Sequence, residues 1–390
     1  MRSIKEADVK GKKVLVRADL NVPLKEGRVR DNTRIVSALP TVNYLLENGA
    51  KVVLCSHLGR PKGKVVPELS LKPVYEELKK LLPSRNIYFV DDCIGEGVKN
   101  KVNELKEGEI LLLENLRFHP EEEKNDESFA KELSSIADIF VQDAFGTVHR
   151  AHASTVGIIK FLPSYAGFLL EKEVNFLSKI TEGPDKPFIA IIGGAKISTK
   201  IGVIENLLKK VDKLLIGGAM AYTFLKKKGK SIGNSLCEDE YLDIAGEILE
   251  KAQDKLLLPV DHVVTDNVDE PKKIENTLDE NIPDGMIGVD IGKNTIDVYS
   301  EIIREAKTVF WNGPLGIFEK DEFSKGTMEI GKKVAEITQK GVISVVGGGD
   351  SVAAVKKENL QDKITHISTG GGASLEFVEG KKLPGLEALE

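Results

Sequence analysis

Residues 13–23 read KVLVRADLNVP, a short apolar run (Val14, Leu15, Val16) followed at once by Arg17, Asp19 and Asn21 and closed by Pro23. The run is too short for a stable helix and rich in β-branched residues, so it reads as a strand. Its apolar positions are consecutive rather than alternating. That pattern suits a strand covered on both faces, as in a parallel sheet flanked by helices. Asp19 and Asn21 lie two residues apart, so on an extended chain both face one side. They come just after the strand's carboxyl end, where open α/β sheets bind their ligands.

The same design recurs along the chain. In the first half it appears in GAKVVLCSH (49–57), NIYFVDD (86–92), EILLLENLRF (109–118) and ADIFVQDAF (137–145). In the second half it appears in PFIAIIGGAK (187–196), KLLIGGAM (213–220), TVFWNGPLG (308–316), VISVVGGGDS (342–351) and ITHISTGGG (364–372), with one further strand in LLLPVDHVV (256–264). Stretches such as 71–82 and 199–211 place apolar residues at three- and four-residue steps and read as helices between strands. This alternation predicts an α/β protein with two doubly wound, Rossmann-like parallel sheets. The Gly/Pro stretch Thr181–Pro187 separates the two strand sets and is the expected domain boundary, and the preceding segment 166–180 reads as a joining helix.

A chain of 390 residues accommodates two domains at about 100–200 residues each. A net charge of −6 argues against a general nucleic-acid binder. Cys55, Cys93 and Cys237 are sparse and far apart, which gives neither a disulfide framework nor a zinc site and suits a reducing cytoplasm. The opening residues carry acids and no apolar core, so no secretory signal is expected, and no apolar run reaches the ~18 residues of a membrane span.

The two halves differ in the residues beyond their strand ends. Arg17, Arg34, Arg60, Arg117 and Arg150 lie in five segments of the first half, with His57 beside Arg60. Guanidinium forks pair with carboxylate or phosphate, so this half suits a compact anion. The second half offers glycines, which let backbone N–H groups approach phosphates. GGAKISTK carries Lys196 and Lys200 four residues apart. If a helix begins within this stretch, they share one face a turn apart. In GGGDS, Asp350 is a candidate Mg²⁺ ligand and Ser351 a candidate helix cap. WNGPLGIFE, with Asn312 and Glu319, reads as a loop over a ligand.

Other chemistries are disfavoured. There is no GxGxxG, which argues against a nicotinamide-dependent dehydrogenase. GTMEIGKK resembles a phosphate-binding loop but has Lys333 where Ser or Thr belongs and no strand before it. His149 and His152 lack the spacing of a metal site. A two-domain binding protein without catalysis stays open at this stage.

RADLNVP, SHLGRP, ENLRF, DAFGTVHRAH, GGAKISTKI, WNGPLGIFE, GGGDS and STGGGASLE occur together in an order that resembles the phosphoglycerate kinase family, from the N-terminus to the LPGLEAL tail. The resemblance implies a first domain over 1–168, a linker helix over 169–181, a second domain over 182–375 and a tail, 376–390, packed back on the first domain. It implies reversible phosphoryl transfer between 1,3-bisphosphoglycerate and MgADP in glycolysis and gluconeogenesis, by a cytoplasmic, hinge-bending monomer with Mg²⁺ as cofactor. A kinase for another small carboxylate is the alternative. Substrate binding is implied for Asp19, Leu20, Asn21, Arg34, His57, Leu58, Gly59, Arg60, Arg117 and Arg150. Catalysis is implied for Arg34, Lys196, Lys200 and Gly371, the last within the Gly370–Gly372 cradle. Nucleotide binding is implied for Lys196, Lys200, Gly292, Asn312, Ile317, Glu319, Gly348, Gly349, Asp350 and Ser351, with Asp350 holding the metal.

Overall fold

The structure, a computed structural model, describes residues 1–390. The chain divides into two units, Met1–Asn175 with Lys382–Glu390, and Phe176–Lys381.

The first unit contains β1 (Lys13–Arg17), a small hairpin of β2 (Leu24–Lys25) and β3 (Arg28–Val29), β4 (Lys51–Cys55), β5 (Ile87–Val90), β6 (Ile110–Leu113), β7 (Ile139–Gln142) and β8 (Ser164–Ala166). Its helices are α1 (Thr33–Glu47), α2 (Lys72–Leu81), α3 (Glu96–Glu104), α4 (Pro120–Glu123) and α5 (Glu127–Ser134). Six strands form a parallel sheet in the order β5-β6-β4-β1-β7-β8. Val14 and Val16 pack with Val52, Leu54, Ile110 and Leu112 in one core cluster. Leu15 packs with Val53, Leu111 and Phe140 in another. Successive strand residues thus point into two separate cores, which is why the apolar runs are unbroken. Each fully buried aliphatic side chain contributes about 1.5–3 kcal/mol.

Helix α6 (Phe168–Thr181) contains the division between the units. The second unit continues with β9 (Phe188–Ile192), β10 (Lys213–Ile216), β11 (Leu256–Leu257), β12 (His262–Thr265), β13 (Ile274–Asn276), β14 (Ile287–Ile291), β15 (Thr308–Asn312), β16 (Ile343–Gly347) and β17 (His366–Ile367). Its helices are α7 (Ile201–Leu208), α8 (Met220–Lys227), α9 (Leu242–Ala252), α10 (Lys293–Arg304), α11 (Lys325–Thr338), α12 (Gly349–Lys357) and α13 (Gly372–Val378). The main sheet is again parallel and six-stranded, in the order β11-β10-β9-β15-β16-β17. Helix α14 (Pro384–Glu387) belongs to the first unit, where Gly385 N donates to the Val148 carbonyl at 2.8 Å.

Three expectations need correction. LLLPVDHVV is two strands, not one: β11 joins the parallel sheet, and β12 joins an antiparallel sheet with β13 and β14. Pro259 lies between them and has no N–H to continue a ladder. The GGAKISTK segment does not place both lysines inside a helix. A 3₁₀ turn spans Ile197–Thr199, and Lys200 is the residue preceding α7. Ser351 does not cap α12. Gly348 precedes that helix, and Ser351 lies within it. No helix is long and apolar enough to cross a membrane.

Candidate active site

In the first sheet the chain runs outward from β1 through β4 and then returns to place β7 on the other side of β1. Such a reversal opens a crevice at the carboxyl ends of the strands. The loops after β1, β4, β6 and β7 all end there and carry the predicted anion-binding residues.

The loops are tied to one another. Asn21 Oδ1 accepts from Gly59 N at 2.9 Å, and Leu20 N donates to Ser56 Oγ at 2.9 Å. Arg34, from the first turn of α1, donates to Asp19 Oδ1 at 3.2 Å and to the Asn21 carbonyl at 3.0 Å. Arg117 donates to the Gly59 carbonyl at 3.0 Å and lies 3.4 Å from Glu123. Asn115, which sequence reasoning passed over inside ENLRF, joins three segments. Its Oδ1 accepts from Leu58 N and Arg117 N, and its Nδ2 donates to the carbonyls of Leu58 and Leu69. Arg60 and Arg150 are exposed, while Asp19 and Leu58 are buried.

Arg17 behaves differently from the other arginines. It is 0% exposed and bonds inward to Ser154, Ala18 and His57. The electrostatics show how closely the set converges. His57 is held well below the usual histidine range by burial first, then by the charges of Arg17, Arg117 and Arg34. His152 is lowered to about 4 by burial and then by Arg117, Arg17 and Arg150. Burial also lowers Arg117, and Arg17 and Arg60 add repulsion. Four guanidinium groups near two neutral imidazoles, with Arg60 beside Arg117, make a site that an anion would relieve.

In the second sheet the reversal falls between β9 and β15, which are neighbours. The turns after them nearly touch. A Cβ at Gly193 would lie 2.0 Å from the Pro314 carbonyl oxygen, and one at Gly313 would lie 2.1 Å from the Gly193 oxygen. Only glycine fits both. Asn312 at the end of β15 donates to the Gly347 carbonyl at 2.8 Å and accepts from Lys200 Nζ. Ser351 Oγ accepts from Gly313 N at 2.5 Å, joining α12 to the same turn. Burial lowers the Lys200 pKa, and the nearby carboxylates of Asp350 and Glu379 oppose that shift.

A cavity of about 390 Å³ opens beside these turns, lined by Gly194, Gly218, Tyr222, Ile317, Glu319 and Asp350 among others. Ile317, Glu319 and Asp350 are therefore brought together. Gly292 is not among the lining residues. It sits at the far end of β14 against Asp261, three residues past the lining Val289, or ~10 Å along the strand. Tyr222, Gly288 and Leu236 also line the cavity and were not anticipated. They come from α8, β14 and a connecting loop, and no short motif joins them. Lys196 is exposed at the start of the 3₁₀ turn. Gly371, with φ +54°, precedes α13, and Gly370 N donates to Ser368 Oγ at 3.2 Å.

Two parallel α/β sheets, one ending in an arginine cluster and the other in glycine turns with a lysine and a carboxylate, define a phosphate-handling enzyme of the kinase class. The phosphoglycerate kinase family model matches residues 4–381. A phosphoglycerate kinase of Thermosipho africanus is 52% identical over 393 residues, covering 99% of this chain and 97% of that protein. One from Borreliella afzelii is 55% identical over 383 residues, covering 97% and 96%. The solved phosphoglycerate kinase of Coxiella burnetii superposes with a TM-score of 0.90 at 43% identity, covering 99% of this chain and 98% of that one. That of Pyrococcus horikoshii OT3 gives 0.86 at 35% identity, covering 100% and 98%. The chain belongs to the phosphoglycerate kinase family, and it is a phosphotransferase with a carboxyl group as acceptor.

Proposed function

We propose that the chain transfers a phosphoryl group reversibly between the carboxyl group of 3-phosphoglycerate and ADP, with the arginine cluster of the first unit holding the phosphoglycerate and the glycine turns of the second holding the nucleotide phosphates. The observation that carries this reading is the group of arginines on the loops at the carboxyl end of the first sheet, with Arg34 and Arg117 bonded to those loops, Arg60 and Arg150 exposed on them, and Arg17 buried behind. The acceptor carboxylate is already ionised near neutral pH, since its pKa lies near ~4, so no strong base is needed. The barrier is mostly charge repulsion and positioning. Asp19, Leu20, Asn21, His57, Leu58, Gly59, Arg60, Arg117 and Arg150 bind the acceptor in this reading. Arg34, in the first unit, and Lys200, Lys196 and the Gly370–Gly372 turn, in the second, would each act on the transferred group.

Asp350 would hold Mg²⁺. It is an exposed carboxylate in the first turn of α12, on the cavity wall. A single carboxylate suits a hard ion that takes most of its ligands from phosphate and water. When bound, the ion neutralises phosphate charge. Glu319 and Ile317 would contact the nucleoside, and Asn312, Gly348, Gly349 and Ser351 would shape the phosphate site. Gly292 would act at a distance, through the end of β14. The acceptor residues belong to one unit and the donor residues to the other, and this reading includes a hinge-bending step that would exclude water. A cytoplasmic monomer is the working state that goes with this reading, and sedimentation of the purified chain checks the oligomeric part.

The test is a coupled assay with ATP, 3-phosphoglycerate and Mg²⁺, run beside a panel of other small carboxylates. Turnover with 3-phosphoglycerate well above the panel is expected. Stronger turnover with another acid would transfer the site to that substrate.

A further inference from the structure

Behind the arginine cluster runs a buried chain of four side chains, Glu122, Ser154, Arg17 and His57. The first three are 0% exposed and His57 is 6% exposed. Ser154 donates twice to Glu122, from Oγ to Oε1 at 2.5 Å and from N to Oε2 at 2.9 Å. Ser154 Oγ accepts from Arg17 Nε at 2.8 Å. Arg17 Nη1 donates to the Ala18 carbonyl at 2.6 Å, and Nη2 lies 3.1 Å from His57 Nδ1.

Donor rules set the direction of every bond in this chain. A guanidinium has five N–H donors and no acceptor. His57 Nδ1 must therefore accept from Arg17, and the ring proton must sit on Nε2. The Ser154 hydroxyl accepts from Arg17, so its own proton goes to Glu122. Burial raises the Glu122 carboxyl, while Arg17 and both Ser154 bonds pull it back down. Turning Arg17 away would leave its buried Nε–H without the Ser154 acceptor and the buried Glu122 carboxyl without the guanidinium charge beside it.

We propose that Ser154 and Glu122, too deeply buried to touch a ligand, are positioning residues that act through Arg17 to hold His57 as the neutral Nε2–H tautomer. His57 Nε2 then offers one fixed, uncharged hydrogen-bond donor to an oxyanion of the bound phosphoglycerate. A preset donor costs nothing to reorient when the ligand arrives. This inference rests on the phosphoglycerate reading of the first unit.

The full chain labelled with ¹⁵N at histidine provides the test. The wild type is expected to show His57 protonated at Nε2 and bare at Nδ1 across roughly pH 6 to 8. In Ser154→Ala, Arg17 loses its Nε acceptor. His57 should then populate both tautomers, and the KM for 3-phosphoglycerate should rise about tenfold, as for loss of one charge-assisted hydrogen bond. The KM for MgATP should stay within about twofold, a split that general loss of packing would not produce. A wild-type His57 protonated at Nδ1 would overturn the proposal without any variant, so a Ser154→Ala chain that fails to fold does not protect it. A variant that keeps the single Nε2–H tautomer and the wild-type KM would overturn it as well. His57→Ala separates the two layers: an unchanged KM for 3-phosphoglycerate there would remove the substrate role of His57, whatever the tautomer result.

Discussion

Arg34 differs from its neighbours in how it is held. Its side chain is 35% exposed, and both bonds that position it run to the β1 loop, to Asp19 and the Asn21 carbonyl. A guanidinium braced from behind and open in front can follow charge as it develops. Arg34→Ala should therefore lower kcat by on the order of 10³-fold, as for other cations that stabilise a phosphoryl group in transit, with a smaller change in KM. Steady-state kinetics checks this, and near-normal kcat would remove the role. Asp350 makes the opposite kind of prediction. Asp350→Asn should weaken binding of MgADP while leaving metal-free ADP affinity nearly unchanged, by titration calorimetry with and without Mg²⁺. As candidates both were visible in the sequence, Asp350 because an aspartate after an apolar run and three glycines has few structural reasons to be there, and Arg34 as one of the first half's arginines, its role implied by the family resemblance. Ser154 and Glu122 were not, since an ordinary serine and one acid in the EEEKNDE run acquire meaning only from what they touch.

Among the elements, the turns after β9 and β15 carry the strictest demand. Gly313 has φ +92° and its Cα faces the Gly193 carbonyl. Gly313→Ala should cost more than the ~1–3 kcal/mol of the backbone strain alone, because the added methyl also meets backbone that cannot move aside. A urea unfolding series should show the lowered midpoint, and ADP affinity should fall with it. Strand recognition worked where apolar runs were continuous, in β1, β4, β6, β9 and β15. It failed for LLLPVDHVV, where the same composition serves two sheets. It was silent on β8, β13 and β14, whose short or mixed sequences resemble loops until a neighbouring strand gives them partners.

For the whole molecule, buried titratable groups pull in opposite directions on the acid side: Asp143 and Asp290, raised by burial to about 7, take up protons more readily folded than unfolded, whereas His262 does the reverse. His262 is 1% exposed in β12, with its ring near the Glu280 carbonyl and edge-on to Tyr222. Burial lowers its pKa from 6.5 to about 4. An unfolded chain takes up the proton near pH ~6.5, whereas the folded chain refuses it until about 4. Below that upper value the unfolded state binds more protons at this site, so the His262 contribution to stability falls with pH by up to about 1.4 kcal/mol per unit across the window and is fully retained above it. His262→Gln should flatten the loss between roughly pH 6.5 and 4, read from urea midpoints at stepped pH. An unchanged slope would mean that His262 protonates in the folded chain as readily as in the unfolded one.

The sequence by itself determined the two parallel sheets, the order of ligand loops along the chain and the chemistry each half offers. Those properties come from local runs and from residue types beside them. Only the tertiary structure decided which arginines face outward, that Arg17 turns inward to bond with His57, that Gly292 is not among the residues lining the cavity beside the glycine turns, and that Tyr222, Gly288 and Leu236 line it. Each of these depends on contacts between segments tens of residues apart, and such contacts exist only once the sheets have set the register that brings their loops together.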